Sequence, residues 1–136
     1  MIKELVSIIT PSYNSSKFIE ETIASVQAQT YSHWEMLITD DGSTDNSYEI
    51  IKEICKKDSR IKLFSIKNAG PAVARNNSIK HANGKYLAFL DSDDLWMPEF
   101  LSTSIKFGIT SIWVLISKRR NVSCFRLSNE MALLLY

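Results

Sequence analysis

Cysteine, proline and glycine are all scarce in this chain: two, three and four of them among 136 residues. Cys55 and Cys124 lie far apart and fit no metal or redox spacing, so a reducing cytosol is the expected compartment. Cys55 falls inside a helical pattern and reads as a small buried hydrophobe. There is no low-complexity tract and no internal repeat, so the few glycines and prolines act as punctuation where they fall. Long apolar runs are missing as well. The longest late one, Phe107 to Ile116, is far short of the ~20 residues that span a bilayer. The start, Met1-Ile-Lys-Glu-Leu5, lacks the pattern of a secretory signal. Lys118-Arg119-Arg120 follows the late run, which leaves peripheral contact with the inner face of a membrane as a secondary expectation beside a core segment with a solvated basic end. Charge of one sign is absent too: a formal net charge of +1 offers no basic face for nucleic acid.

What is present is the composition of one globular domain: 45% hydrophobic and 23% charged residues, enough apolar material for a core. Strand and helix patterns alternate over the first hundred residues. Leu5 to Thr10 is a β-branched run that Pro11 is expected to end, since proline cannot continue a central strand. Asn14, Ser15 and Ser16 offer N-cap side chains, and Phe18, Ile19, Ile23 and Val26 form one apolar stripe. Glu35 to Thr39 reads as a second strand, followed by Asp45 or Asn46 as a cap and a helix carrying Tyr48, Ile51, Ile54 and Cys55. Ile61 to Ile66 is a third strand. Pro71 then suits a helix start and Gly84 its end. The fourth strand runs into Asp91-Ser92-Asp93-Asp94.

This order predicts an α/β fold with a mostly parallel sheet and helices on its faces. Ligands of such sheets bind outside the carboxyl ends of the strands. Polar clusters fall at each of those ends: Pro11 to Asn14, Asp40 to Ser43, Asn68 to Gly70, and Asp91 to Asp94. The rim is therefore the expected site.

The acids after the fourth strand are the sharpest signal. Three carboxylates within four positions repel one another, and hard cations such as Mg²⁺ or Mn²⁺ are the natural reason to gather them. A solvated acidic turn is the plainer alternative. Asp40 and Asp41 can accept hydrogen bonds from an imide N–H or a ribose hydroxyl, while an Asp-Gly turn would explain Gly42 and Asp45 alone. Arg75, on a helix with small neighbours Ala72 and Ala74, either reaches the rim or stays on the surface. Asn76 and Asn77 are poor helix-interior residues and need hydrogen-bonding reasons. Trp96 fits a pocket wall as well as a core anchor, and His33 and His81 read as surface or helix-end residues.

Four segments, Val6-Ser-Ile-Ile-Thr-Pro-Ser-Tyr-Asn14, Asp40-Asp-Gly-Ser-Thr-Asp45, Asn68-Ala-Gly-Pro-Ala-Val-Ala-Arg-Asn76 and Leu87-Ala-Phe-Leu-Asp-Ser-Asp-Asp94, closely resemble the family 2 glycosyltransferases. The resemblance spans roughly residues 4 to 101 and has the family's order and spacing. It implies the Rossmann-like GT-A fold, a nucleotide-sugar donor (usually UDP-linked), an Mg²⁺ or Mn²⁺ ion, and inverting transfer to a carbohydrate or lipid-linked acceptor, as in surface polysaccharide synthesis. By the same resemblance Pro11, Tyr13 and Asn14 line the nucleoside pocket, and Asp40 contacts uracil with Arg75 nearby. Asp91 points to ribose or metal, Asp93 is the direct metal ligand, and Asp94 supports them.

The sequence departs from that pattern after Leu101. The family's base motif and its later Gln/Arg/Trp motif are not recognisable in residues 102–136, where Glu130 is the sole acid and so the sole candidate base. Residues 1–101 are thus read as the donor-binding domain and 102–136 as an atypical tail, the product of truncation or a shifted frame. A fragment that binds nucleotide-sugar without transferring it is the second reading. A phosphatase of the haloacid dehalogenase type is the third, disfavoured because its Asp-X-Asp stands near the chain start and is followed by Thr or Val where Leu95 stands here.

Overall fold

A computed structural model describes residues 4–106, together with the backbone of two short strands further on. The described elements are β1 (Val6–Ser12), α1 (Ile19–Gln27), β2 (Trp34–Asp40), α2 (Ser47–Lys57), β3 (Ile61–Ser65), α3 (Pro71–Lys80), β4 (Tyr86–Phe89) and α4 (Phe100–Lys106). An antiparallel pair, β5 (Trp113–Val114) with β6 (Phe125–Arg126), completes them. The main sheet has the order β3-β2-β1-β4, and each of its pairings is parallel. This is the Rossmann-like sheet of the GT-A fold, as expected.

Side chains alternate between the two faces of a strand, and here the two faces differ in chemistry. Val6 and Ile8 of β1, Trp34, Met36 and Ile38 of β2, and Ala88 of β4 join Ile19, Ile23 and Val26 of α1 and Ile51 of α2 in one buried apolar cluster. Burying each large aliphatic side chain there stabilises the fold by about 1.5–3 kcal/mol. Cys55 is half-buried at the margin of this cluster, and Trp96 packs into it against Phe100, so Trp96 is a core anchor and not a pocket wall. On the opposite face α3 lies close, because it presents Ala74 and Ser78, both fully buried. The Ser78 hydroxyl reaches the Leu37 carbonyl at 3.1 Å and Thr39 Oγ1 at 2.7 Å, while Asn77 Nδ2 donates to Thr39 Oγ1 at 3.2 Å. That is the hydrogen-bonding reason Asn77 needs; Asn76 is simply exposed.

The chain winds outward from β1 to β3 and then returns to place β4 on the other side of β1. Between β1 and β4 the winding reverses, and in open α/β sheets that is where ligands bind. β1 pairs with β4 only over Val6 to Ile9, yet continues along β2 to Ser12. Its carboxyl end therefore overhangs a gap beside β4.

Pro11 does not end the strand. It pairs with Thr39 as the sixth residue of β1, and the reason is geometric. The Ile9 carbonyl accepts from Leu90 N on the β4 side, and the Ser12 carbonyl accepts from Asp41 N on the β2 side. Position 11 thus faces β4, which has already ended, so the missing N–H of proline removes no ladder bond. Gly84 also differs from expectation. α3 stops at Lys80, and Gly84 instead lets the α3–β4 connection press onto β1, where a Cβ would meet Ser7 N at 2.6 Å. The Asn14, Ser15 and Ser16 side chains do not cap α1, whose N-cap is Phe18. The exposed His33 and His81 lie at the surface, with His81 closing α3 and stacking on Phe64.

Candidate functional site

A cleft of about 550 Å³ opens at the carboxyl end of the sheet. Each strand-end cluster contributes to it: Pro11 near the end of β1 with Tyr13 and Asn14 after it, Asp41 after β2, Asn68 and Gly70 after β3, and Asp91 and Asp93 after β4. Arg75 reaches in from α3. Phe18, read as part of the α1 stripe, lies at 38% exposure along the cleft instead of in the core. It precedes the helix, so helical periodicity does not govern where it points.

The acidic side is compact. Asp91, Asp93 and Asp94 each offer a carboxylate oxygen, and these atoms all lie within 4.8 Å of one another. Asp94 is buried, and its amide donates to the Asp91 carbonyl at 3.1 Å, closing a turn that turns the three acids toward one point. Arg75 Nη2 lies 3.0 Å from Asp91 Oδ1. The pair is partly exposed, so it orients more than it stabilises. From beneath, the fully buried Thr22 of α1 donates its hydroxyl to the Ser92 carbonyl at 3.0 Å, which anchors the residue between Asp91 and Asp93. Thr22 is not recognisable from the sequence, since nothing local separates it from a helix-surface threonine. The donor set is entirely oxygen, which suits Mg²⁺ or Mn²⁺ over softer metals.

The opposite side is a wall of three loops tied by long-range hydrogen bonds. Asp41 takes Ala69 N at 2.7 Å and Gly70 N at 2.9 Å on its two carboxylate oxygens, and Asn68 Nδ2 donates to the Asp41 carbonyl at 3.0 Å. Gly42, at φ 72°, makes this approach feasible, because a Cβ there would meet Asn68 N at 2.9 Å. Asn14 Oδ1 accepts from Thr44 N at 2.8 Å and Asp45 N at 3.3 Å. Asp45 accepts from Ser16 N at 3.1 Å, from Ser47 N at 2.9 Å and from the Ser47 hydroxyl. Modest desolvation opposes ionisation of Asp45, but the bonds from Ser47 and Ser16 outweigh it and lower its pKa to about 2.

Asp40, the residue expected at the base, ends β2 beside the loop wall. It is 2% exposed, does not line the cleft, and directs both oxygens to Ser43. The adjacent Asp41 lies one residue past β2 and lines the cleft, although it too is only 3% exposed, with both carboxylate oxygens taken by the Ala69 and Gly70 amides. Glu130, Cys124 and the Lys118–Arg120 run lie outside the described residues. Among the described residues no helix is long and apolar enough to cross a membrane.

Comparison with known proteins agrees with this geometry. The pattern of glycosyl transferase family 2 matches residues 7–107. The putative teichuronic acid biosynthesis glycosyltransferase TuaG of Bacillus subtilis is 48% identical over 106 residues, which are 77% of this chain and 42% of that protein. An Escherichia coli relative, the UDP-Glc:alpha-D-GlcNAc-diphosphoundecaprenol beta-1,3-glucosyltransferase WfgD, is 49% identical over 102 residues, 74% of this chain and 40% of its own length. Thus the matched part of the chain spans well under half of these relatives. Among solved structures, S. aureus TarS 1-349 in complex with UDP superposes with a TM-score of 0.76 at 31% identity, covering 87% of this chain and 38% of that one. The mannosyltransferase PcManGT of Pyrobaculum calidifontis, in complex with GDP-Man and Mn²⁺, gives 0.72 at 26% identity, covering 77% and 32%. With the four strand-end clusters gathered on one rim and the family pattern running across them, the chain belongs to glycosyl transferase family 2.

Proposed function

We propose that the cleft binds a nucleotide-sugar, of the UDP type, as donor for transfer to an acceptor hydroxyl in surface polysaccharide assembly. The observation that carries this reading is the pairing of an acidic side with a hydrogen-bonded wall across one 550 Å³ cleft. The names of the B. subtilis and E. coli relatives support the polysaccharide role and a lipid-linked acceptor, and the UDP complex of TarS supports the nucleotide.

In this reading Tyr13 and Pro11 form the floor under the base, and Asp41 is the carboxylate that reads it. That contact requires the Asp41 oxygens to be shared with the loop amides they now accept. Arg75 holds Asp91 and adds positive charge beside the diphosphate. Asp93 and Asp91 hold the divalent cation, with Asp94 completing the oxygen set. When bound there, the cation supplies Lewis-acid stabilisation of the charge that develops on the departing diphosphate. Inverting attack also needs a base to take the acceptor's proton, and that group is expected from the part of the protein that carries the acceptor site. Calorimetric titration of UDP with Mn²⁺ and with chelator tests the reading. Tight binding only with the metal is expected; equal affinity in both would remove the metal from the site.

A further inference from the structure

We propose that Asp40 and Ser43 are positioning residues that act through the amide of Asn14 to set Tyr13 against the nucleoside, and so favour a base-bearing ligand over bare diphosphate. The inference rests on the nucleotide-sugar reading of the cleft. The observations form a chain. Asp40 ends β2 in a buried position, with Ser43 N at 3.0 Å from its Oδ2 and the Ser43 hydroxyl at 2.6 Å from its Oδ1. A serine hydroxyl has a single proton. Once that proton is given to Asp40, Ser43 Oγ is left as an acceptor, and it accepts from Asn14 N at 3.0 Å. The buried carboxylate therefore fixes the direction in which the hydroxyl can serve the neighbouring loop.

Asn14 is held at its other end too. Its backbone has φ 47°, a left-handed conformation that asparagine adopts more readily than most residues other than glycine. Its side chain is tied as well, with Oδ1 accepting from Thr44 N, Thr44 Oγ1 and Asp45 N at 2.8, 3.3 and 3.3 Å. Both ends of Asn14 are thus tied to the β2–α2 loop, and the turn between them is imposed. Tyr13 directly precedes that turn, lines the cleft and is 51% exposed. With half its surface in solvent, the ring receives little direction from packing and takes it from the backbone. Asp40 is not among the residues that line the cleft, and the Ser43–Asn14 path is the route that leads from its carboxylate to Tyr13.

The test is a double-mutant cycle. UDP and inorganic pyrophosphate, each with Mn²⁺, are titrated against wild type, Ser43→Ala, Ser43→Thr and Asp40→Asn, in both the native and the Tyr13→Ala background. Ser43→Ala and Asp40→Asn are expected to weaken UDP about tenfold and pyrophosphate less than about twofold, and Ser43→Thr to restore UDP. In the Tyr13→Ala background the same changes should shift UDP less than about twofold, because the path has been cut. Equal losses in both backgrounds, or equal losses for both ligands, overturn the proposal. A ligand-free measurement on the Ser43 variants keeps the relay testable even where Asp40→Asn does not fold. Exchange of the Asn14 amide proton should quicken about tenfold or more in Ser43→Ala and recover in Ser43→Thr, and unchanged protection overturns the relay. A wild-type chain that binds no UDP overturns the nucleotide-sugar reading and the discrimination with it, whereas intact UDP binding with an additive cycle overturns the relay alone.

Discussion

The two sides of the cleft are built on different principles. The wall over β1, β2 and β3 is made of three loops stitched by hydrogen bonds between residues 27 to 32 positions apart, with Asn14, Asp41 and Asp45 each serving two or more partners. The acidic side is one short turn after β4, anchored by Thr22 below and Arg75 beside it. The first is preorganised before any ligand arrives; the second gathers three carboxylates beside Arg75, an oxygen set that a bound cation would suit. Rigid recognition of a base and electrostatic capture of a diphosphate make these two different demands.

The largest test of that contrast is Asp93→Ala. It should abolish the metal dependence of UDP binding, with a loss beyond the roughly 10–100-fold typical when an outer partner of a metal ligand is removed. Titration with Mn²⁺ and with chelator measures it, and retained metal dependence would move the cation elsewhere. Next comes Asp41→Ala, which strips two amide acceptors from the wall and the carboxylate from the base. Its charged hydrogen bonds are worth about 1.5–3 kcal/mol, so UDP should weaken about 10–150-fold while Mn²⁺-pyrophosphate changes little. Equal weakening of both ligands would show that the two sides are not independent.

Thr22→Val probes the acidic side without touching a carboxylate. Losing the bond to the Ser92 carbonyl should lower Mn²⁺ affinity about tenfold, with a stability cost near 1 kcal/mol in urea titration. A stability loss with unchanged Mn²⁺ affinity would make Thr22 a fold residue only. The smallest effect concerns acid. Asp45 and Asp58 both have folded pKa values lowered to about 2 from an ordinary 3.8, Asp58 chiefly by the Arg60 guanidinium against some desolvation. Groups lowered in this way contribute stability that is complete above the unfolded value and is lost as pH falls from near 3.8 through about 2. The urea midpoint should therefore decline across that window, and Asp45→Asn should remove part of the decline; a flat midpoint would deny these ties.

Much of the architecture could be read from residues alone. Alternating β-branched runs and capping signals imply parallel strands, and parallel strands put their following loops on one rim, so the clusters at Pro11–Asn14, Asp40–Ser43, Asn68–Gly70 and Asp91–Asp94 were bound to meet. Local chemistry misled where a residue's partner is distant. Ser15 and Ser16 resemble helix caps, but their amides go to Ser47 and Asp45. Gly84 resembles a helix stop, but it is small because Ser7 lies against it. Proline is excluded from a central strand only where the neighbour it faces is still present, and Pro11 faces the gap beyond β4.

By itself, then, the sequence determined the kind of sheet, the rim on which its polar clusters gather, the acidic turn and the family. These follow from periodicity and from residue types set at strand ends, which act over a few positions. Tertiary structure decided which of two adjacent aspartates faces the cleft, which serine steadies Asn14, and which threonine underlies the acids. Those choices depend on which strand face and which loop come to lie opposite, and contacts between residues tens of positions apart leave no local trace in the chain.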